Sequence, residues 1–165
     1  MRTLKKILVI MITLATILGV CGCADNPFAK KERPYEEVKK EVTDLSMRLT
    51  RKMLEGDYET MVNFIREDEK TAQVKQIITS MDPSLQKDVI LSVETISVVP
   101  NSYSTEIEYK AMFLFEKTTY SFTFVMKMER RGESWVINNM VALASDMRTL
   151  NKAYLDGKAN DEDGK

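Results

Sequence analysis

The sequence predicts an α+β domain: N-terminal helices packed on a curved, antiparallel, four-stranded sheet, with a short C-terminal helix. Up to Lys87 the apolar residues recur every three or four positions, as on one face of a helix. After Lys87 they alternate with polar residues, as in half-buried strands. The connections between the alternating segments are short, which favours antiparallel neighbours. A helical layer on one half-buried sheet gives the α+β class.

The first 22 residues have the layout of a secretory signal. Arg2, Lys5 and Lys6 precede a run, Ile7–Val20, that is apolar apart from two threonines and contains no charged residue. As a helix this run reaches about 21 Å, at 1.5 Å per residue, against a hydrocarbon core of roughly 30 Å. A cleaved signal is therefore favoured over a permanent membrane span.

The end of the run resembles the lipobox of bacterial lipoprotein signal peptides. Val20 takes the aliphatic position, and Gly22 takes the small position before Cys23. The resemblance implies acylation of Cys23, with palmitate or a similar chain, and attachment to the extracytoplasmic side of a membrane in the bacterial cell envelope. An uncleaved anchor and a structural or metal-binding pair with Cys21 are the alternatives. Since the chain has no histidine, we predict no metal site and no cofactor.

Four regions follow from this division: a signal (1–22), a tether (23–34), a folded domain (35–155) and a disordered polar tail (156–165). Removal of the signal leaves 21 basic and 25 acidic residues, a net charge of about −4. A mildly acidic domain without a basic stripe is unsuited to nucleic acid, so that class of partner is excluded. The expected partners are the membrane, through the lipid, and an envelope protein or peptide.

Three helical segments form the first half of the domain. The first runs from Tyr35 to Leu54 and stops at Gly56, and Asp57 is placed to cap a short second helix. The third ends at Asp82, because a residue before proline disfavours the helical conformation. The predicted buried faces comprise Tyr35, Val38, Val42, Leu45, Leu49 and Met53, then Met61, Val62 and Ile65, then Val74, Ile77, Ile78 and Met81.

Four strands form the second half. A turn at Glu116-Lys117 pairs Tyr109 with Phe124, and a turn at Arg131-Gly132 pairs Met128 with Trp135 and Phe124 with Asn139. The first strand needs a bulge near Glu94 to bring its apolar residues to one face. The predicted strands are Val89 to Val99, Ser104 to Phe115, Thr118 to Met128 and Ser134 to Val141.

This order of elements, with LEGDYETMVNFI (Leu54 to Ile65) and GESWVINNM (Gly132 to Met140), resembles the nuclear transport factor 2-like superfamily. It is especially similar to small bacterial lipoproteins that carry such a domain behind a tether. The resemblance spans roughly residues 35 to 143 and implies a cone of curved sheet around helices, often enclosing a pocket. Some members are enzymes that use Asp, His or Tyr, and many are non-catalytic binding modules. Without a histidine, an Asp–His pair cannot be carried over.

Six side chains are candidates for lining such a pocket. In an apolar concavity the Glu94 carboxylate would serve as a base or would anchor a ligand. The side chain of Tyr109 or Asn139 would donate a hydrogen bond to an oxyanion. The alternative is structural: Glu94 as the solvent-facing bulge residue, Tyr109 in the core and Asn139 at the rim. Met126 and Met128 are expected to fill the core rather than to bind a metal. The complete candidate set is Glu94, Tyr109, Tyr120, Phe124, Trp135 and Asn139.

Two functions compete on this basis. The first is a non-enzymatic, membrane-anchored envelope lipoprotein that binds a protein, a peptide or a small apolar ligand. The second is a small isomerase or hydrolase-like enzyme that uses Glu94 with Tyr109 or Asn139. An enzyme requires a deep pocket with converging polar groups, whereas a binding module exposes an apolar patch on the sheet or on the last helix, predicted at Ser145 to Leu155.

Overall fold

The computed structural model describes residues 33–98, 104–115 and 118–163, so the predicted signal, Cys23 and most of the tether lie outside the described residues. Within them the chain is α+β, as predicted. The helices are α1 (Tyr35–Leu54), α2 (Tyr58–Met61), α3 (Ala72–Thr79), α4 (Leu85–Asp88) and α5 (Met140–Asp163). The strands are β1 (Ile90–Val98), β2 (Ser104–Phe115), β3 (Thr118–Arg131) and β4 (Ser134–Ile137).

The junction between α1 and α2 follows the predicted signals. Gly56 adopts φ +76°, a left-handed conformation that glycine tolerates best. A Cβ at this position would also lie 3.2 Å from the carbonyl oxygen of Ile78, so the close approach of α3 also favours glycine. Asp57 then caps α2, because its Oδ1 accepts a hydrogen bond of 3.0 Å from the backbone N–H of Thr60.

The four strands form one antiparallel sheet in the order β1-β2-β3-β4. The predicted register between β2 and β3 is confirmed, for example by the pair Tyr109 and Phe124. The predicted bulge is confirmed as well, since the ladder steps from Val93 to Thr95 and leaves Glu94 unpaired. One face of the sheet is buried, and its core residues are Ile107, Tyr109, Ala111, Phe113, Phe124, Met126, Met128, Trp135 and Ile137.

The predicted register between β3 and β4 is wrong by two residues. Met128 pairs with Ile137 rather than with Trp135, which lies opposite Arg130. The turn therefore consists of Gly132 and Glu133, and Gly132 takes the left-handed φ of +63° that a tight hairpin needs at its first central position. A shift of two residues keeps every side chain on its own face, so the hydrophobic pattern does not distinguish the two registers.

Strand β4 ends at Ile137, before the predicted limit of Val141, and the predicted pair of Phe124 with Asn139 does not form. The backbone of Ile65 and Arg66 lies along the outer edge of β4 instead, where the Arg66 N–H donates to the Ile137 carbonyl at 3.0 Å. The chain then enters α5 almost directly. The backbone N–H of Val141 donates to Glu69 Oε2 at 2.8 Å, which anchors the start of that helix.

Helix α5 is longer than the predicted Ser145 to Leu155. It continues to Asp163, so residues 156–163 of the expected disordered tail are helical. Its extension follows from packing: Tyr154 and Gly157 are buried, and Gly157 lies against the ring of Phe115. Among the described residues no helix is both long and apolar enough to cross a membrane.

The core joins two kinds of side chain. An aromatic cluster lies toward the end of the β2–β3 ladder at which Phe115 pairs with Thr118. There the ring of Phe113 stacks on Tyr120 at 5.0 Å and meets Tyr154 edge-on at 5.5 Å. Phe115 and Phe122 complete that cluster. The core also holds seven buried methionines: Met53, Met61, Met81, Met126, Met128, Met140 and Met147.

Candidate functional site

The middle of the inner face, where the pocket was expected, is filled by side chains. The ring of Tyr109 stacks on Phe124 with 5.4 Å between centroids, and both residues are buried. The Tyr109 hydroxyl donates a hydrogen bond of 2.5 Å to Ser46 Oγ on α1. Burial raises the pKa of Tyr109 to about 12, so the phenol stays protonated at neutral pH. Tyr109 and Phe124 thus connect the sheet to α1 as core residues.

Glu94 and Asn139 do not converge on Tyr109. Glu94 is exposed at the bulge, where its Oε1 accepts a hydrogen bond from the Ser92 hydroxyl at 2.8 Å, and Val93 occupies the position opposite Tyr109. Both groups of the Asn139 amide bind the backbone of β3 beyond the end of β4. Its Oδ1 accepts from the Lys127 N–H and its Nδ2 donates to the Val125 carbonyl, each at 2.9 Å.

The remaining two candidates lie apart from each other. Tyr120 is half-buried in the aromatic cluster, and Trp135 is buried near the β3–β4 turn. The enzyme hypothesis required Glu94 together with Tyr109 or Asn139, and the structure brings neither pair together. The described residues also contain no group of three or more Cys, Asp or Glu side chains arranged to hold a metal ion.

A polar cluster links α5 to α4 near the aromatic residues. The Tyr154 hydroxyl contacts Asp88 and Ser84, at 2.9 Å from Ser84 Oγ. Burial raises the pKa of Tyr154 to about 12. Lys158 lies 3.9 Å from Asp82, whose pKa is held below its usual value by hydrogen bonds from Ser84. Each of these polar groups has a partner within the domain, which is the arrangement expected of a structural contact.

The outer face of the sheet is mostly polar, and its two valines, Val125 and Val136, are half-buried. An apolar patch lies at one end of this face. There Ile90, Met112 and Leu114 lie together, and we call these three residues the outer apolar patch. Ile90 pairs with Met112 across the ladder, and Leu114 follows two residues along the same face. Ile90 is 66% exposed and Leu114 is 63% exposed. A depression of about 400 Å³ lies beside them, bounded by Asp88 and Thr119.

A second concavity, which we call the charged cleft, lies between α1 and the β3–β4 turn. Its volume is about 440 Å³. Its apolar residues are Leu45, Phe64 and Trp135, and it is open to solvent. Its charged residues are Glu41, Asp44 and Arg48 on α1 and Glu133 at the turn.

Comparison with known proteins adds no relative. No protein-family model, no curated protein and no solved structure matches the chain. The resemblance to the nuclear transport factor 2-like superfamily and the lipobox at Cys23 therefore stay predictions from the residues that carry them.

The sequence analysis expected an apolar patch on the sheet or on the last helix but did not name its residues, and it did not predict the charged cleft. The signal for the outer apolar patch was present, because the confirmed β2–β3 register already puts Leu114 and Met112 on the polar face. The charged cleft was not predicted, because it depends on the approach of α1 to the β3–β4 turn, a tertiary contact that the local sequence pattern does not contain.

Proposed function

We propose that this chain is a non-enzymatic lipoprotein of the bacterial cell envelope, tethered through Cys23, whose domain binds a protein partner. The observation that carries the proposal is the outer apolar patch: two large, exposed aliphatic side chains line one depression on a mostly polar sheet face. Contiguous apolar surface of this kind is typical of an interaction site in a soluble domain.

The chemistry of the patch fits a protein partner better than a buried small ligand. The adjoining depression is open to solvent, and the exposed side chains of Ile90 and Leu114 line it. Complete burial of one aliphatic side chain contributes about 1.5–3 kcal/mol, so covering both gives a useful part of a binding free energy. A partner side chain entering the depression beside them would act as an anchor.

The enzyme alternative has less support. It needs a carboxylate within reach of a polar donor in a water-excluding pocket. Glu94 faces solvent, and the hydroxyl of Tyr109 and the amide of Asn139 are both engaged in hydrogen bonds. No specific observation favours catalysis at another place.

Site-specific crosslinking in intact cells tests the proposal. A photoreactive amino acid replaces Leu114 in the full chain, and the matched control carries it at Thr123, an exposed polar position on the same face of β3. We expect a discrete crosslinked species from position 114 that is absent from position 123. The additional change Ile90→Asp should remove that species without lowering the amount of protein, because Ile90 contributes little to the core. Equal products from both positions, or a product that survives Ile90→Asp, would contradict a specific partner at this patch.

A further inference from the structure

We propose that two copies of this chain associate through the free edge of β1, so that their four-stranded sheets join into one antiparallel sheet. Strand β1 has β2 as its only neighbour in the sheet, and no backbone hydrogen bond joins it to another described segment. Such an edge presents a row of backbone donors and acceptors to a further strand. The other edge of the sheet, at β4, is already covered by Ile65 and Arg66. The proposal depends neither on the lipid anchor nor on the partner at the outer apolar patch.

The inward side chains of β1 are less buried than those of the strand beside it. The inward residues of β2 between Thr105 and Ala111 are at most 1% exposed. The aliphatic side chains of β1 that lie directly opposite them are all half-buried. These side chains are those of Leu91, Val93, Ile96 and Val98. A strand added at the β1 edge would bring its own side chains against them and remove apolar surface from water.

The bulge at Glu94 determines which strand fits this edge. Val93 and Ile96 both face inward, yet two residues separate them where a regular strand has one. A regular strand added here must either leave one residue of β1 unpaired, as β2 does, or turn its inward side chains outward beyond the bulge. A strand with the same bulge at the matching position avoids both faults. A second copy of β1 is such a strand.

Antiparallel self-pairing of the segment 91–98 places the two bulges opposite each other. Every inward aliphatic residue then meets another one, and the remaining residues meet on the outer face. The opposite pairs, each formed twice, are Leu91 with Val98, Ser92 with Ser97, Val93 with Ile96, and Glu94 with Thr95. This segment is longer than the usual strand of about five or six residues. A two-fold axis relates the copies and closes the assembly as a dimer, since β4 is covered in each copy.

The charges along the edge are compatible with this register. Glu94 is the only charged residue of β1, and it lies opposite Thr95, so no like charges stand directly opposite each other. The two Glu94 side chains occupy adjacent positions at the centre of the dimer, where they repel each other weakly through water. Glu94→Gln should therefore lower the dissociation constant of the dimer about two- to fivefold, the range expected for one exposed pair of charges.

Sedimentation equilibrium of the full chain in a density-matched non-ionic detergent measures the association. We expect a reversible monomer–dimer equilibrium of the wild type in the micromolar range. Two double variants, Ser92→Glu with Ser97→Glu and Ser92→Lys with Ser97→Lys, each place like charges opposite each other twice. Each variant alone should raise the dissociation constant about five- to thirtyfold. An equimolar mixture of the two should recover the dimer, because glutamate then faces lysine at both contacts.

A matched control places the same charges elsewhere on the outer face. Ser121→Glu with Thr123→Glu changes two exposed residues of β3 and should leave the dissociation constant unchanged. Recovery of the dimer on mixing shows that both edge variants are folded. The proposal would be overturned by a monomeric wild type, by edge variants that dimerise as the wild type does, or by a mixture that stays dissociated. Equal weakening by the control would overturn it as well, because the edge would then have no special effect.

Discussion

Tyr109 shows how one hydroxyl in the core couples the domain to pH. Its ring lies against Phe124 and its O–H donates to Ser46, which in turn donates to the Thr43 carbonyl at 3.0 Å. Replacement by phenylalanine leaves that second hydrogen bond in place. Tyr109→Phe should therefore cost only about 1 kcal/mol in the free energy of unfolding at pH 7, the usual value for a single hydrogen bond. Urea unfolding of the two proteins measures this difference.

Because the pKa of Tyr109 is raised in the folded state, we expect the domain to lose stability at alkaline pH. Burial raises the pKa of Tyr109 to about 12, whereas an unfolded tyrosine ionises near 10. The native state binds the Tyr109 proton more tightly than the unfolded state does. The contribution of protonated Tyr109 to the free energy of unfolding is therefore complete below about pH 10 and is lost as the pH rises toward 12. The wild type should lose about 2–3 kcal/mol more than Tyr109→Phe over that interval. Parallel pH profiles for the two proteins would contradict this assignment, and Tyr35→Phe at an exposed position is the matched control.

At Gly157, helix propensity and packing have opposite effects on the stability of an alanine variant. Alanine within a helix is favoured over glycine by about 1 kcal/mol, but a Cβ here would lie 2.6 Å from Cδ2 of Phe115. Overpacking costs about 1–3 kcal/mol, so Gly157→Ala should lower stability. In a Phe115→Ala background the ring atoms that clash are absent, and the same change should then raise stability by about 1 kcal/mol. Thermal unfolding of the wild type, the two single variants and the double variant measures both effects. Additive effects would show that Phe115 does not limit the site.

At the scale of elements, β1 contains a bulge at Glu94 that its pairing with β2 does not require. Deletion of Glu94 leaves every backbone pair between β1 and β2 available, because this residue has no partner in the ladder. Deletion of Ser92 shifts the preceding residues by one position and turns Leu91 from the inner face to the outer face. Removal of Glu94 should change the free energy of unfolding by less than about 1 kcal/mol, and removal of Ser92 should cost about 1–3 kcal/mol more. Equal costs would mean that the bulge itself is needed for packing.

The elements also show what the sequence determines. Helix α1 begins and ends where the periodicity and Gly56 predicted, and the β2–β3 register follows from apolar pairs on one face. The β3–β4 register does not follow, because two registers that differ by two residues bury the same faces, and the conformation of Gly132 decides between them. The end of β4 was not predicted either. Beyond Ile137, the Asn139 side chain rather than strand backbone accepts the hydrogen bond from the Lys127 N–H.

At the scale of the whole molecule, the candidate site was predicted less well than the fold. Strand parity identified Tyr109, Phe124 and Trp135 as inward-facing, and all three are buried. Parity does not tell whether an inward residue lines a cavity or fills a core, because that depends on how closely α1 and α5 approach the sheet. Helix α1 approaches closely enough for Ser46 to meet Tyr109, and the space expected for a ligand is occupied. The surfaces left for binding lie outside the core.

The proposed tether has its own test. Cells that express the full chain are fed an alkyne analogue of palmitate, and the protein is isolated and examined for label. We expect label on the wild type and on Cys21→Ala, but none on Cys23→Ala, because only Cys23 follows Val20 and Gly22 in lipobox spacing. The Cys21 variant matches the change in thiol count. Label that persists on Cys23→Ala would contradict acylation at this residue.

The seven buried methionines can be oxidised only when the domain unfolds. A thioether that reacts with peroxide becomes a polar sulfoxide, which a packed interior accepts poorly. The native fold shields these sulfur atoms, but complete unfolding exposes all seven at once. A chain whose methionines are oxidised while it is unfolded would carry polar sulfoxides that the refolded core accommodates poorly. Under oxidative conditions the working lifetime of the domain should therefore follow the rate at which it opens, rather than the reactivity of its surface.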